Sequence, residues 1–163
     1  MRNTEIIAEK IFTREALVHK IAQIRLTGAT VSFTNGCFDI LHKGHIASLS
    51  QAAAAARFLV VGVNSDASTK KLKGEGRPVN DENSRALLLA ALVIVDAVVI
   101  FDEDTPLELI KAIKPDVLVK GGDYKLEEIV GAKEVMEAGG KVIINPVVEG
   151  FSTTGLLAKI QKL

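Results

Sequence analysis

Short apolar runs alternate with amphipathic stretches along most of the chain. Val31–Thr34, Phe58–Val63, Ala97–Phe101, Asp116–Val119 and Val142–Ile144 are rich in β-branched residues and have few alternating polar positions. That pattern predicts strands buried on both faces, as in a parallel sheet. Between them lie stretches at helical spacing. Ile46–Arg57 is rich in alanine, Glu82–Val93 follows a cap at Asn80 or Asp81, and a further helix opens at Thr105-Pro106 and stops near Lys114-Pro115. Leu126–Glu137, one helix or a pair of short helices, ends at Gly139-Gly140, and Gly155–Gln161 closes the chain. Residues 3–27 read as one or two amphipathic helices ended by Gly28, so the expected division is a helical segment over 1–28 and one domain over 29–163. Strands alternating with helices imply an α/β fold: a single doubly wound, Rossmann-like domain with a five-stranded parallel sheet.

In such a fold, ligands sit outside the carboxyl ends of the strands. The polar turns fall at those ends: Thr34 to His45, Asn64 to Asp66, Asp102 to Asp104, and Lys120 to Tyr124. Their convergence predicts one site. The first turn, T-N-G-C-F-D-I-L-H-K-G-H, carries two of the three histidines, His42 and His45, where a strand gives way to a helix. Backbone N–H groups and the positive helix end favour an anion there. Gly44 lets a ligand approach the backbone. Both imidazoles are placed to donate to phosphate oxygens as a phosphoryl bond breaks. Helix capping by the histidines and a metal site with Asp39 as third ligand are the competing readings. The metal reading lacks a second cluster of ligand-type residues. His19 has no such companion and reads as structural.

Composition narrows the picture further. The chain is 48% hydrophobic but only 4% aromatic, so its core is aliphatic. Lys plus Arg and Asp plus Glu are both 20, which gives no electrostatic case for nucleic acid or a membrane surface. A single cysteine, no run of ~20 apolar residues and no apolar signal core after Met1 predict a cytoplasmic protein. Cys37 reads as a small packed residue. Two common phosphate loops are excluded. Gly140-Lys141 is followed by Val142, and Gly74-Glu75-Gly76 by Arg77-Pro78-Val79. Residues 68–78, with Lys70, Lys71 and Lys73, read as a mobile basic loop or a broken helix.

The stretch ending in H-K-G-H resembles the H-x-G-H signature of the cytidylyltransferase-like nucleotidyltransferases. V-N-S-D-A-S-T-K-K-L-K-G-E-G-R-P-V-N, D-V-L-V-K-G-G-D-Y and the late S-T-T resemble one subgroup, the D-glycero-β-D-manno-heptose 1-phosphate adenylyltransferases of ADP-heptose synthesis. In many bacteria that activity is the C-terminal half of a bifunctional protein with a sugar kinase half. No kinase half is present here, so the resemblance implies a stand-alone transferase.

The resemblance implies that heptose 1-phosphate and ATP, with Mg²⁺ on the triphosphate, give ADP-heptose and pyrophosphate, for lipopolysaccharide core synthesis. It implies catalytic roles for His42 and His45. Thr34, Asn35, Gly36, Phe38, Gly44, Lys120, Gly121, Asp123, Tyr124, Ser152, Thr153 and Thr154 would bind nucleotide. Asn64, Lys70, Lys71, Lys73 and Arg85 would serve the acceptor, with no choice among the lysines. Asp39 would fix the turn, no protein-held metal is implied, and a homodimer is. Each assignment has a plainer alternative: a solvated lysine loop, an N-cap at Ser152–Thr154, turn chemistry at Gly121-Gly122. Glycerol phosphate cytidylyltransferases carry an arginine before the late serine–threonine motif, whereas Pro146-Val147-Val148-Glu149-Gly150 has none. The other readings are a cytidylyltransferase acting on a small phosphate such as glycerol phosphate, and a non-catalytic nucleotide-binding module.

Overall fold

The computed structural model describes residues 5–146, 150–160 and 162. Six parallel strands form one sheet in the order β1-β4-β3-β2-β5-β6. They are β1 (Ile11–Phe12), β2 (Val31–Gly36), β3 (Phe58–Asn64), β4 (Ala97–Phe101), β5 (Val117–Gly121) and β6 (Lys141–Asn145). The helices are α1 (Arg14–Arg25), α2 (Lys43–Ala54), α3 (Asp66–Lys73), α4 (Glu82–Ala90), α5 (Leu107–Ile113), α6 (Ala132–Glu137) and α7 (Thr153–Ile160).

The sixth strand corrects the expected five. Ile11 and Phe12 lie opposite Val98 and Val99 of β4. Two residues are too few to show alternation, and this strand exists because β4 offers it a free edge. The N-terminal stretch is therefore built into the sheet. It opens with a 3-10 turn, Glu5–Lys10, and the Lys10 ammonium donates to the Leu92 and Val95 carbonyls just beyond α4.

Side-chain alternation along the strands sorts the core into two layers. Val31, Phe33, Val60, Val99, Phe101 and Leu118 face Leu17 and Ile21 of α1, Leu109, Ile110 and Ile113 of α5, and Ala132 and Val135 of α6. Leu59, Val61, Val63, Val98, Val117 and Val119 face Leu49 and Ala52 of α2 and Ala86, Leu89 and Ala90 of α4. The two layers explain why the strands read as unbroken apolar runs. Gly62 is where the sheet needs a missing side chain, since a Cβ there would come 2.9 Å from the Phe33 ring.

Several boundaries differ from expectation, three of them beyond the carboxyl ends of β3, β4 and β6. Residues 66–73 are helical, capped by the Ser65 hydroxyl on the Ser68 N–H and ended by Gly74 at φ 91°. Pro106, not Thr105, occupies the N-cap of α5. The last helix begins at Thr153, two residues earlier than its glycine suggested.

The chain steps outward from β2 through β3 to β4, then crosses back to lay β5 and β6 on the other side of β2. The reversal lies between β2 and β5. Connections diverge there and leave a crevice at the carboxyl ends of the strands.

Candidate active site

A cleft of about 750 Å³ occupies that crevice, a volume suited to a small-molecule ligand. Its floor is the β2–α2 turn: Thr34, Asn35, Gly36, Cys37, Phe38, Asp39, His42, Gly44 and His45. Lys120, Gly121, Gly122 and Tyr124 line it from the end of β5, and Ser152, Thr153 and Thr154 from the start of α7. Asn64, Leu72, Lys73, Asp104, Thr105 and Pro106 complete the opposite wall.

The turn is held by its own geometry. Phe38 sits at φ 49°, in the left-handed region that non-glycine residues rarely enter, at a cost of roughly 1 kcal/mol or more. That bend brings its ring to 5.3 Å from His45 and against Gly36. Asp39, 2% exposed, compensates by fastening the turn to residues 77–80. Its carboxylate accepts from the Arg77 Nε at 2.6 Å, the Val79 N–H at 2.8 Å and the Asn80 N–H at 2.9 Å. Burial alone would raise the Asp39 pKa. The two backbone N–H groups and the guanidinium outweigh it, so the carboxyl titrates below its ordinary range. It is thus an anchor, ionised at neutral pH.

His42 caps α2, its Nδ1 accepting from the Gly44 N–H at 3.1 Å. With Nδ1 committed as acceptor, the proton of the neutral ring is on Nε2. His45 stacks on His42 with ring centroids 3.9 Å apart and planes at 22°. Gly44 makes room for this arrangement, because a Cβ would lie 3.0 Å from the His42 ring and 3.4 Å from the Phe151 Cβ.

Both imidazoles are held neutral. Burial lowers the His42 pKa. Burial first, and the neighbouring His42 second, push His45 down to about 4, opposed in part by the Ile40 backbone. The pair therefore meets a ligand as neutral rings rather than as cations, with the His42 N–H on Nε2. An NMR titration of the His45 ring without nucleotide is expected to give a midpoint near pH 4. Adding ATP is expected to raise that midpoint, because phosphate charge favours the imidazolium. A midpoint near 6.5 without nucleotide would contradict the neutral pair. The folded-state pKa lies below the unfolded one, so His45 adds stability above about pH 6.5 and loses it as pH falls toward about 4.

The cations divide cleanly. Lys73 lines the cleft, whereas Lys70 pairs with Glu75 and Lys71 with Asp104. Lys71 and Lys73, two positions apart, point to opposite sides of the helix, whereas Lys70 shares a face with Lys73 but is turned to Glu75, so only Lys73 reaches inward. Lys120 is half-buried, and its pKa is lowered first by burial, opposed by the nearby Cys37 and lowered further by the charge of Lys73. Two ammonium groups thus repel each other over the histidine turn, a strain that an anion relieves.

Three further residues expected at the site behave differently. Asp123 does not line the cleft, although its neighbours do. Ser152 both lines the cleft and caps α7, accepting from the Gly155 N–H at 3.0 Å. Arg85 is the clearest correction. It is fully buried and donates to the Asn80 carbonyl, the Cys37 carbonyl and the Asp66 carboxylate. It ties the turn to α3 and α4 and does not face the cleft. Val147 to Glu149, in the stretch without arginine, lie outside the described residues.

Sequence reading alone did not single out Phe151, which lies on Gly44 with Lys43 5.5 Å from its ring, or the individual wall residues Asp104 and Thr105. The turn at Asp102–Asp104 was legible, but not which of its side chains face inward.

Among the described residues, the carboxylates lining the cleft are Asp39, spent on Arg77 and two backbone N–H groups, Glu128, which accepts from the Lys125 N–H, and Asp104, which has one oxygen paired with Lys71. No group of three or more metal-ligating side chains occurs among the described residues. These residues do not fit a protein-held Mg²⁺. A Mg²⁺ arriving with a nucleotide would keep phosphate oxygens and water as its ligands.

A family model described as cytidylyltransferase-like matches residues 33–158. The chain belongs to the cytidylyltransferase-like family of nucleotidyltransferases. It is 51% identical over 153 residues to the bifunctional protein HldE of Mesorhizobium japonicum, covering 94% of this chain and 31% of that protein. It is 55% identical over 151 residues to the bifunctional protein HldE of Caulobacter vibrioides, covering 93% and 31%. The chain thus spans under a third of the length of these relatives. A crystal structure of a lipopolysaccharide core biosynthesis protein from Thermoplasma volcanium superposes with a TM-score of 0.61 at 33% identity, over 74% of this chain and 98% of that one. Among the described residues, no helix is long and apolar enough to cross a membrane.

Proposed function

We propose that the chain transfers the adenylyl group of ATP to a heptose 1-phosphate, giving ADP-heptose and pyrophosphate, for lipopolysaccharide core synthesis in the cytoplasm. The observation that carries this reading is the neutral, stacked His42–His45 pair at the N-terminus of α2, set between Lys120 and Lys73. The high identity to HldE proteins and the likeness to a lipopolysaccharide core biosynthesis protein support the acceptor class.

In this reading, a phosphate oxygen of the sugar phosphate attacks the α-phosphorus of ATP in line. A new P–O bond forms, the bond between the α-phosphorus and its bridging oxygen breaks, and pyrophosphate leaves with that electron pair. No enzyme nucleophile is required, so catalysis is positioning and charge stabilisation. The His42 Nε2–H and the His45 ring donate to the α- and β-phosphates. The start of α2 adds its backbone dipole. Ser152, Thr153 and Thr154 receive the outer phosphates at the start of α7. Lys120, Gly121 and Tyr124 hold the nucleoside, and Lys73 takes the phosphate of the acceptor. Mg²⁺ accompanies the triphosphate and neutralises part of its charge. The reading includes a homodimer, supported by the resemblance and by the exposed Leu87, Leu88 and Val93 on and after α4.

Pyrophosphate release measured with each nucleoside triphosphate, against heptose 1-phosphate and glycerol phosphate, tests it. Turnover with ATP and heptose 1-phosphate is expected. Turnover only with CTP and glycerol phosphate would replace it by a cytidylyltransferase. ATP binding without turnover on either acceptor would replace it by a nucleotide-binding module.

A further inference from the structure

The wall of the cleft beyond β3 is not accounted for by a nucleotide. Going across the sheet, the lining runs from Lys120 and Tyr124 at β5, over the histidine turn at β2, past Asn64 at the end of β3, to Asp104, Thr105 and Pro106 after β4. Lysines, imidazoles, backbone N–H groups and a helix N-terminus surround the middle of this path. Its far end presents a carboxylate and a hydroxyl. A carboxylate repels a phosphate but accepts well from neutral hydroxyls. The change in chemistry along one continuous cleft marks a change of ligand group, from polyphosphate to something uncharged and rich in O–H donors.

We infer that Asp104 and Thr105 recognise hydroxyl groups of the acceptor's sugar and set acceptor specificity. This rests on the proposed adenylyltransferase reading. In that reading the acceptor approaches the α-phosphorus from the side opposite the leaving pyrophosphate. Lys73 and Asp104 line the same wall, so an acceptor whose phosphate meets Lys73 has its polyol beside Asp104.

The segment is held in place from behind. The Asp102 carboxylate accepts from the Ser65 hydroxyl at 2.5 Å. Glu103 pairs with Arg14 across the sheet edge, and its carbonyl accepts from the Ser68 hydroxyl. Ser68 in turn accepts from the buried Asn64 amide at 3.0 Å. Asp104 pairs with Lys71 at 3.0 Å, an exposed contact that orients one oxygen and leaves the other for a ligand. Asp102 and Glu103 are thus spent on the scaffold, while Asp104 and Thr105 remain toward the cleft. Fixed backing of this kind is what a specificity contact needs. A site built to bond substrate hydroxyls discriminates strongly against an acceptor that lacks them.

Steady-state kinetics on Asp104→Asn and Thr105→Val, with ATP and heptose 1-phosphate varied separately, tests the inference. Asp104→Asn is expected to raise the KM for heptose 1-phosphate at least tenfold and to leave the KM for ATP within twofold. Thr105→Val is expected to act in the same direction more weakly. The preference of the unmutated protein for heptose 1-phosphate over glycerol phosphate, as a ratio of kcat/KM, is expected to fall at least tenfold in Asp104→Asn. An unchanged KM for heptose 1-phosphate in Asp104→Asn, or a parallel rise in the KM for ATP, would overturn the assignment while leaving the parent reading in place. No turnover of heptose 1-phosphate by the unmutated protein would overturn both.

Discussion

His42→Ala and His45→Ala each lower kcat at least ~100-fold, the scale for losing a donor aimed at charge that develops in the transition state. The KM for ATP changes far less, because a neutral N–H gains most when the α-phosphorus is under attack and charge moves to the bridging oxygen. The two rings are in contact at 3.9 Å, so removing one leaves the other unsupported. The double variant is therefore expected to lose less than the product of the single losses. His42 also caps α2, and its removal costs about 1 kcal/mol of stability. His42→Asn separates the two roles. Asparagine caps a helix well but cannot place a donor where the imidazole Nε2 stands. It is expected to restore the stability and not the kcat. Near-parent kcat in the two alanine variants, with the fold intact, would remove the histidines from the mechanism.

Arg85→Met destabilises the protein by about 3 kcal/mol and lowers Tm by roughly 10 °C. The guanidinium is fully buried and serves three acceptors from three parts of the chain. Methionine fills much of the space but donates nothing. The Cys37 and Asn80 carbonyls then lose their partner in the interior, at about 1–3 kcal/mol for each group left unsatisfied. Removing the Asp66 contact adds less, since that carboxylate is half-exposed and remains hydrated. Arg85→Lys should recover only part, because one ammonium cannot reproduce a planar fork that spans three acceptors. A Tm within 2 °C of the parent for Arg85→Met would contradict the anchoring role. Thermal unfolding followed by circular dichroism reads the difference directly.

Arg85 also shows what could be read from the chain before its fold was known. Its place on a helix after a capping aspartate was legible, because capping and periodicity are local. Which way that helix face turns is not local, and an arginine near a site looks like a ligand until the sheet closes over it. The lysines tell the same story. Lys70, Lys71 and Lys73 are equivalent in a loop, but on a helix ended by Gly74 only Lys73 turns inward. His42, His45, Gly44 and the K-G-G-D-Y turn were legible as site elements because strand-end turns act through adjacent residues. β1 was not, since its two residues owe their strand to β4. Asp39 lies between these cases. Its place in the turn was plain from the motif, whereas its partners lie some forty residues away at Arg77, Val79 and Asn80.

The same contrast separates the well-defined half of the cleft from the acceptor half. Phosphate recognition relies on backbone N–H groups and helix ends, which leave a compact motif. Sugar recognition relies on single side chains brought from separate loops, such as Asp104 from the end of β4, and leaves none.

Direct transfer of an adenylyl group from ATP to heptose 1-phosphate, without a covalent enzyme intermediate, inverts configuration at the α-phosphorus. The stereochemical course is read with ATP carrying a sulfur of one configuration on the α-phosphorus. Thio-ADP-heptose with inverted configuration, and pyrophosphate free of sulfur, is the predicted result. Retention of configuration, or no sulfur in any sugar nucleotide product, would rule out direct transfer.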